Sequence, residues 1–251
     1  MMDINAYLER INYYGSLTPS IQTLQALQKA HLRTAPFENL SIHWDEPIVL
    51  EDDSLFDKVV NRRRGGFCYE LNGLFSALLR ALGFDVVMLS AKVARDRGEY
   101  TADFAHMTLM VTLEERWLVD VGFGDSFRLP LRIDDPNEQP QDGASYKITP
   151  DDEAYILWEC KLGGQWQRQY RFRPTPYQYP DFLEMCHYQQ YSPDSRFRQG
   201  RVCSMATADG RITLSEMKFI TTWLDGRRRE QPLENEAAFL DVLSKKFGIG
   251  A

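Results

Sequence analysis

Residues 64–83 read Arg64-Gly65-Gly66-Phe67-Cys68-Tyr69-Glu70-Leu71-Asn72-Gly73-Leu74-Phe75-Ser76-Ala77-Leu78-Leu79-Arg80-Ala81-Leu82-Gly83. Leu71, Leu74, Phe75, Leu78, Leu79 and Leu82 fall at helical spacing and form one apolar stripe, and Gly83 stands where a left-handed residue closes a helix. The spacing predicts a helix with Cys68 at its N-terminal end. A thiol there meets uncapped backbone N–H groups and the positive end of the helix dipole, both of which favour thiolate. The two preceding glycines allow other backbone to approach closely. Such a cysteine either packs as a small hydrophobe or reacts, and position alone leaves both open.

Upstream of this stretch the texture is helical. Asp3 offers an N-cap to a face of Ile4, Tyr7, Leu8 and Ile11, which Gly15 stops. Thr18-Pro19 offers a second cap, followed by Ile21, Leu24, Leu27 and His31 until Pro36 intervenes. A third short helix fits Leu55-Phe56 with Val59-Val60.

Downstream the period changes to two. Val86-Val87-Met88-Leu89 reads as a buried strand, and residues 105–113 and 117–121 as two more about the turn Glu114-Glu115-Arg116. Residues 134–145 read as loop, and 154–162 with 166–172 as a hairpin about Gly163-Gly164. Beyond the joint Arg173-Pro174-Thr175-Pro176 come a short helix near Phe182–Tyr188 and strands around Val202-Cys203, Ile212-Thr213-Leu214 and Phe219-Ile220, with a hairpin turn at Asp209-Gly210. Phe239, Leu240, Leu243 and Phe247 form a last amphipathic helix ended by Gly248. Helices and strands are segregated along the chain, so the expected class is α+β. The expected units are 1–83, helical and carrying Cys68, then 84–178, largely β, and 179–251, mixed.

The 251 residues are 43% hydrophobic and 12% aromatic, enough for a sizeable core. With 36 acidic against 29 basic residues and a formal charge of −7, the chain is a poor ligand for nucleic acid or an anionic membrane. Arg62-Arg63-Arg64 therefore reads as a solvated face plus one ion pair. No signal-peptide pattern or long apolar run is present, which points to the cytoplasm. The four cysteines, Cys68, Cys160, Cys186 and Cys203, lack zinc-type spacing and read as reduced thiols, with no metal site expected.

A thiolate nucleophile needs a base, and four histidines are available. His31 continues an apolar helix face, His43 lies in a loop beside Trp44, and His187 lies far along the chain beside Cys186. His106 opens the strand His106-Met107-Thr108-Leu109-Met110-Val111, which returns through a turn to Trp117-Leu118-Val119-Asp120. Asp120 interrupts an apolar strand and needs a partner if buried, for which a histidine N–H is suited; a surface-facing aspartate is the alternative. A turn centred on Glu115 puts both residues on one face but pairs Asp120 with Met110, about 13 Å short of His106 along the strand. Bringing the two together requires a turn nearer Leu113, or a bulge or curl at Gly122.

Arg64-Gly65-Gly66-Phe67-Cys68-Tyr69-Glu70-Leu71-Asn72 strongly resembles the active-site segment of the arylamine N-acetyltransferases. Pro36-Phe37-Glu38-Asn39-Leu40, His106-Met107-Thr108-Leu109 and Asp120-Val121-Gly122-Phe123-Gly124 resemble further motifs of that family in the same order, and Ser192-Pro193-Asp194-Ser195-Arg196-Phe197 resembles another more weakly. The resemblance implies an N-terminal helical bundle, a central β-barrel and a C-terminal α/β lid around a papain- or transglutaminase-like triad of Cys68, His106 and Asp120. It also implies acetyl transfer from acetyl-coenzyme A, as co-substrate and not a permanently bound cofactor, through an acetyl-Cys68 thioester to an arylamine, hydrazine or N-hydroxyarylamine. A hydrolase or amide-transfer enzyme would use the same triad. The family's acceptor-pocket positions map onto Phe37, Tyr69, Phe123 and Phe197, with Val93 and Phe104 as further candidates for the same pocket. Gly122, Phe123 and Gly124 are implied to leave room for the coenzyme arm, and Arg64 is implied to pair with Glu38.

Overall fold

The computed structural model describes residues 2–250. Helix α1 (Ile4–Arg10) is capped by Asp3, which accepts from the Ala6 N–H at 3.0 Å. Helix α2 (Ile21–Leu32) is capped by Ser20, not Thr18, because only the Ser20 hydroxyl is placed to accept from the Thr23 N–H, at 3.1 Å. The two-residue strand β1 (Phe37–Glu38) and the short helix α3 (Leu40–His43) follow, then helix α4 (Asp52–Phe56), which runs into one π turn over Asp57–Asn61. Helix α5 (Cys68–Ala81) begins and ends where the spacing requires, and Gly83 takes φ +88° just beyond it.

The middle of the chain forms strands β2 (Asp85–Val93), β3 (His106–Thr112), β4 (Arg116–Val119), β5 (Leu131–Arg132), β6 (Gln139–Gln141), β7 (Ala144–Asp151), β8 (Ala154–Lys161) and β9 (Gln167–Phe172). They make one antiparallel sheet in the order β5-β4-β3-β2-β9-β8-β7-β6. Strands β6 and β7 begin inside the stretch read as loop. The sheet nearly closes into a barrel: Gln139 accepts from the Arg132 N–H and donates to its carbonyl, and Gln141 does the same for Leu129, all at 2.8–3.0 Å. Alternation along β2 sends Met88 toward α5 and Leu89 into the barrel, so one strand serves two cores.

The last third holds helices α6 (Tyr179–Tyr191) and α7 (Arg196–Gln199), strands β10 (Val202–Ala206), β11 (Gly210–Ser215), β12 (Lys218–Trp223) and β13 (Arg228–Pro232), and helix α8 (Glu236–Phe247). Helix α6 is longer than the segment expected from sequence. The second sheet runs β1-β10-β11-β12-β13, so the N-terminal Phe37 and Glu38 pair with Ser204 and Cys203 and dock this sheet beside the segment that leads into Cys68. Helix α8 covers it through Phe239, Leu243 and Phe247, and Gly248 ends the helix at φ +70°. No helix among the described residues is long and apolar enough to cross a membrane.

Candidate active site

The loop before Cys68 is built by close backbone contact. A Cβ on Gly65 would stand 1.9 Å from the Pro36 carbonyl oxygen. The freed space lets Gly66 donate to that carbonyl at 3.3 Å, while the Glu38 N–H donates to Gly66 at 2.9 Å. Beneath the loop Arg64 is buried and donates to Glu38 at 3.0 Å and Glu46 at 3.1 Å, the Glu38 pair the resemblance implied. At the start of α5 the Glu70 carboxylate accepts from the Phe67 N–H at 3.1 Å and from the Lys58 ammonium at 2.6 Å. Cys68 is thus the first residue of a helix whose entry is fixed on both sides.

Strands β3 and β4 pair Leu109 with Val119 and Thr112 with Arg116, so the turn centres on Glu114, between the two positions weighed from sequence. Extending the register puts Asp120 opposite Thr108, two residues from His106 on the same face, a diagonal that long side chains span. The chain curls away after Val119, and no bulge at Gly122 is needed. His106 Nε2 and Asp120 Oδ2 are 2.7 Å apart, with both residues buried.

Asp120 is saturated with donors. Its Oδ1 accepts from Asn72 Nδ2 and from the Gly122 N–H, both at 2.9 Å, and its Oδ2 also accepts from the Tyr170 hydroxyl at 3.1 Å. Burial opposes the charged form and is the largest single influence. The His106 charge and hydrogen bond, with the Asn72 and Gly122 donors, outweigh it and hold Asp120 below the usual carboxylate range. For His106 too, burial is the largest influence and works against the imidazolium; the charge and hydrogen bond of Asp120, then those of Cys68, overcome it and raise His106 well above its ordinary value. Since Nε2 faces Asp120, Nδ1 is the ring nitrogen left to Cys68.

Cys68 and His106 share the wall of a cavity of 310 Å³ with Phe37, Val93, Gly122, Phe123 and Phe197, and Arg95, Asp194 and Arg196 stand exposed at its mouth. Phe123 meets the His106 ring edge-on at 5.0 Å, and Phe197 lies 5.5 Å from Phe67. Of the pocket residues expected from sequence, Phe37, Val93, Phe123 and Phe197 are therefore in the wall. Tyr69 and Phe104 are not: they stand behind it, where Tyr69 is fully buried and packs on Phe182, and Phe104 packs on Tyr177 and Phe182. Helix periodicity explains this, since Tyr69 is turned about 100° from Cys68 around the axis. Gly122 lies against the nucleophile itself, for a Cβ there would come within 2.7 Å of Cys68 Cα. Gly124 takes φ +92° beside Phe37.

Several residues of the site escaped the sequence reading. Asn72 is fully buried, donates to the Met107 carbonyl at 2.6 Å as well as to Asp120, and accepts from the Val121 N–H at 2.9 Å. Its place four residues after Cys68, on the same helix face, was the available signal. Asn39 and His43 each direct a nitrogen at the Phe197 carbonyl, at 2.8 and 2.9 Å, and so fix a wall residue 158 positions away from Asn39. Among the described residues, no group of three His, Cys, Asp or Glu side chains could hold a metal ion.

A model of the N-acetyltransferase family matches residues 20–251. The arylamine N-acetyltransferase of Escherichia coli (strain K12) is 33% identical over 98% of this chain and 89% of its own length, and that of Mycolicibacterium smegmatis 34% identical over 99% and 92%. The solved arylamine N-acetyltransferase of Mycobacterium marinum superposes with a TM-score of 0.92 at 32% identity, covering 98% of this chain and 93% of that one. Its complex with CoA superposes with a TM-score of 0.91. The shared segment includes the cysteine helix, the histidine strand and the aspartate curl that meet around the cavity. The chain belongs to the arylamine N-acetyltransferase family of acyltransferases.

Proposed function

We propose that this enzyme moves an acetyl group from acetyl-coenzyme A to the nitrogen or oxygen of an arylamine, hydrazine or N-hydroxyarylamine by double displacement, with Cys68 as nucleophile, His106 as acid and base, and Asp120 as the group that orients and charges His106. The observation that carries this reading is the buried contact between His106 and Asp120 in a cavity whose wall Cys68 shares. An imidazolium at His106 stabilises thiolate at Cys68. The Cys68 sulfur attacks the thioester carbonyl carbon, the carbon–sulfur bond to coenzyme A breaks, and the departing thiolate takes the His106 proton. An acceptor amine then attacks the acetyl-Cys68 carbonyl, His106 removes the amine proton, and the Cys68 thiolate leaves.

Other features fit the two half-reactions. Backbone N–H groups at the start of α5, including that of Cys68, would supply donors to the carbonyl oxygen as it gains charge. The apolar walls of Phe37, Val93, Phe123 and Phe197 suit an aromatic acceptor. Of the residues assigned to the coenzyme arm, Gly122 and Phe123 line the same cavity as Cys68, and Gly124 lies outside that lining against Phe37. A cytoplasmic setting, where thiols stay reduced, suits a nucleophile that must remain unoxidised.

Release of coenzyme A thiol, followed colorimetrically with acetyl-coenzyme A, tests the reaction class. Release should depend on added arylamine or hydrazine and vanish in Cys68→Ala. Release at the same rate without an amine would make the protein a thioester hydrolase and overturn the acceptor assignment.

A further inference from the structure

Phe104 has φ +60°, the left-handed region that a bulky L-residue enters only under strain. Such a conformation persists where its surroundings over-determine it, and here four contacts do so. The Phe104 N–H donates to Ser90 Oγ at 2.8 Å, the Tyr69 hydroxyl donates to the Phe104 carbonyl at 2.7 Å, and the ring lies edge-on to Tyr177 at 4.9 Å and Phe182 at 5.3 Å. Burial and the neighbouring Cys68 charge push the Tyr69 phenol well above its ordinary value, so it remains a donor throughout the working range. Tyr69 directly follows the nucleophile at the start of α5, and Phe104 lies two residues before His106 at the start of β3. One hydrogen bond therefore ties the cysteine's helix to the entry of the histidine's strand.

We propose that Tyr69 is a positioning residue, whose hydroxyl holds Phe104 in its left-handed conformation and thereby sets the reach between His106 Nδ1 and the Cys68 sulfur. The inference rests on Cys68 and His106 being the reacting pair. It assigns Tyr69 a role through the backbone in place of the pocket wall that sequence suggested. A glycine at 104 would adopt the same backbone unaided, and the pull of Tyr69 would then have nothing to hold.

The test is Tyr69→Phe, which removes one oxygen and keeps the ring. Alkylation of Cys68 by iodoacetamide at pH 7 should slow about tenfold, and kcat with an arylamine should fall in proportion while the acceptor KM stays within about twofold. In a Phe104→Gly background the same substitution should change the alkylation rate by less than about twofold. Ser90→Ala, which cuts the other tether, should also slow alkylation. Parent-rate alkylation in Tyr69→Phe would overturn the proposal, as would an undiminished effect in Phe104→Gly, or a raised KM with unchanged kcat, which would return Tyr69 to the acceptor wall. Alkylation needs no acyl donor, so this result is independent of which group the enzyme transfers. If His106→Gln left the parent's alkylation rate unchanged, the reacting pair itself would be wrong.

Discussion

Burial alone would strip the charge from both His106 and Asp120, and what prevents this is that each is the other's nearest counter-charge. Asp120→Asn keeps the shape and removes that support, so burial then dominates and His106 becomes neutral at pH 7. Cys68 alkylation by iodoacetamide at neutral pH should fall on the order of a hundredfold or more, measured as a second-order rate constant. The same substitution has a pH signature in stability. Asp120 has a lowered value in the fold, so its contribution is present above about pH 4 and lost as pH falls through that folded value. His106 has a raised value, so its contribution is complete below about pH 6.5 and fades as pH rises toward the folded value. Urea unfolding across pH should show the gap between parent and Asp120→Asn widest between about pH 4 and 6.5, and a gap independent of pH would contradict the charged pair. Cys68 was legible as a residue because a helix start and two glycines mark it. Asn72 and Tyr170 were not, because their partner Asp120 lies 48 and 50 residues away and only the folded chain brings them to it.

Elements were legible where one face is apolar and the other is not. The stripe from Leu71 to Leu82 marked α5 and put Cys68 at its start, and Gly83 and Gly248 marked two helix ends by their left-handed backbone. Strand β13, Arg228–Pro232, is exposed along its whole length and so carries no alternation to read. The start of β7 was masked by the Asp, Gln and Gly residues before it, although buried Tyr146 and Ile148 alternate with polar Lys147 and Thr149. The β3–β4 register was open because a one-residue change in turn length moves Asp120 along its partner strand, and composition does not count turn residues. After the curl that follows Val119, Gly122 passes the start of α5 with no room for a side chain. Gly122→Ala would set a methyl within 2.7 Å of Cys68 Cα and Asn72 Nδ2. It should destabilise the fold by about 2 kcal/mol or more in chemical denaturation and slow Cys68 alkylation together, because the strand and the helix must part. A stable variant with parent-rate alkylation would show that the contact does not hold the site.

At the scale of the whole molecule, two cores meet at the segment from Pro36 to Leu40, where Phe37 packs against the helical core and Leu40 lies in the core under the C-terminal sheet. The segment pairs with Gly66 on one side, adds β1 to the C-terminal sheet on the other, and lends Phe37 to the cavity. Arg64 anchors this junction: it bonds Glu38 and Glu46 and lies 4.6 Å over the Trp44 ring. Arg64→Gln would leave Glu38 buried without its counter-charge, and thermal or chemical unfolding should show a loss of about 3 to 5 kcal/mol. The meeting of cores could not be read from periodicity, which reports faces but not which faces touch; the ordered motifs supplied it through resemblance. In the proposed double displacement, acetyl rests on Cys68 between two half-reactions. Intact-protein mass spectrometry after brief exposure to acetyl-coenzyme A without acceptor should show the mass of one added acetyl group, located on the Cys68 peptide, absent in Cys68→Ala and discharged by an arylamine. An unmodified Cys68 peptide under conditions where coenzyme A is released and the amine is acetylated would contradict it.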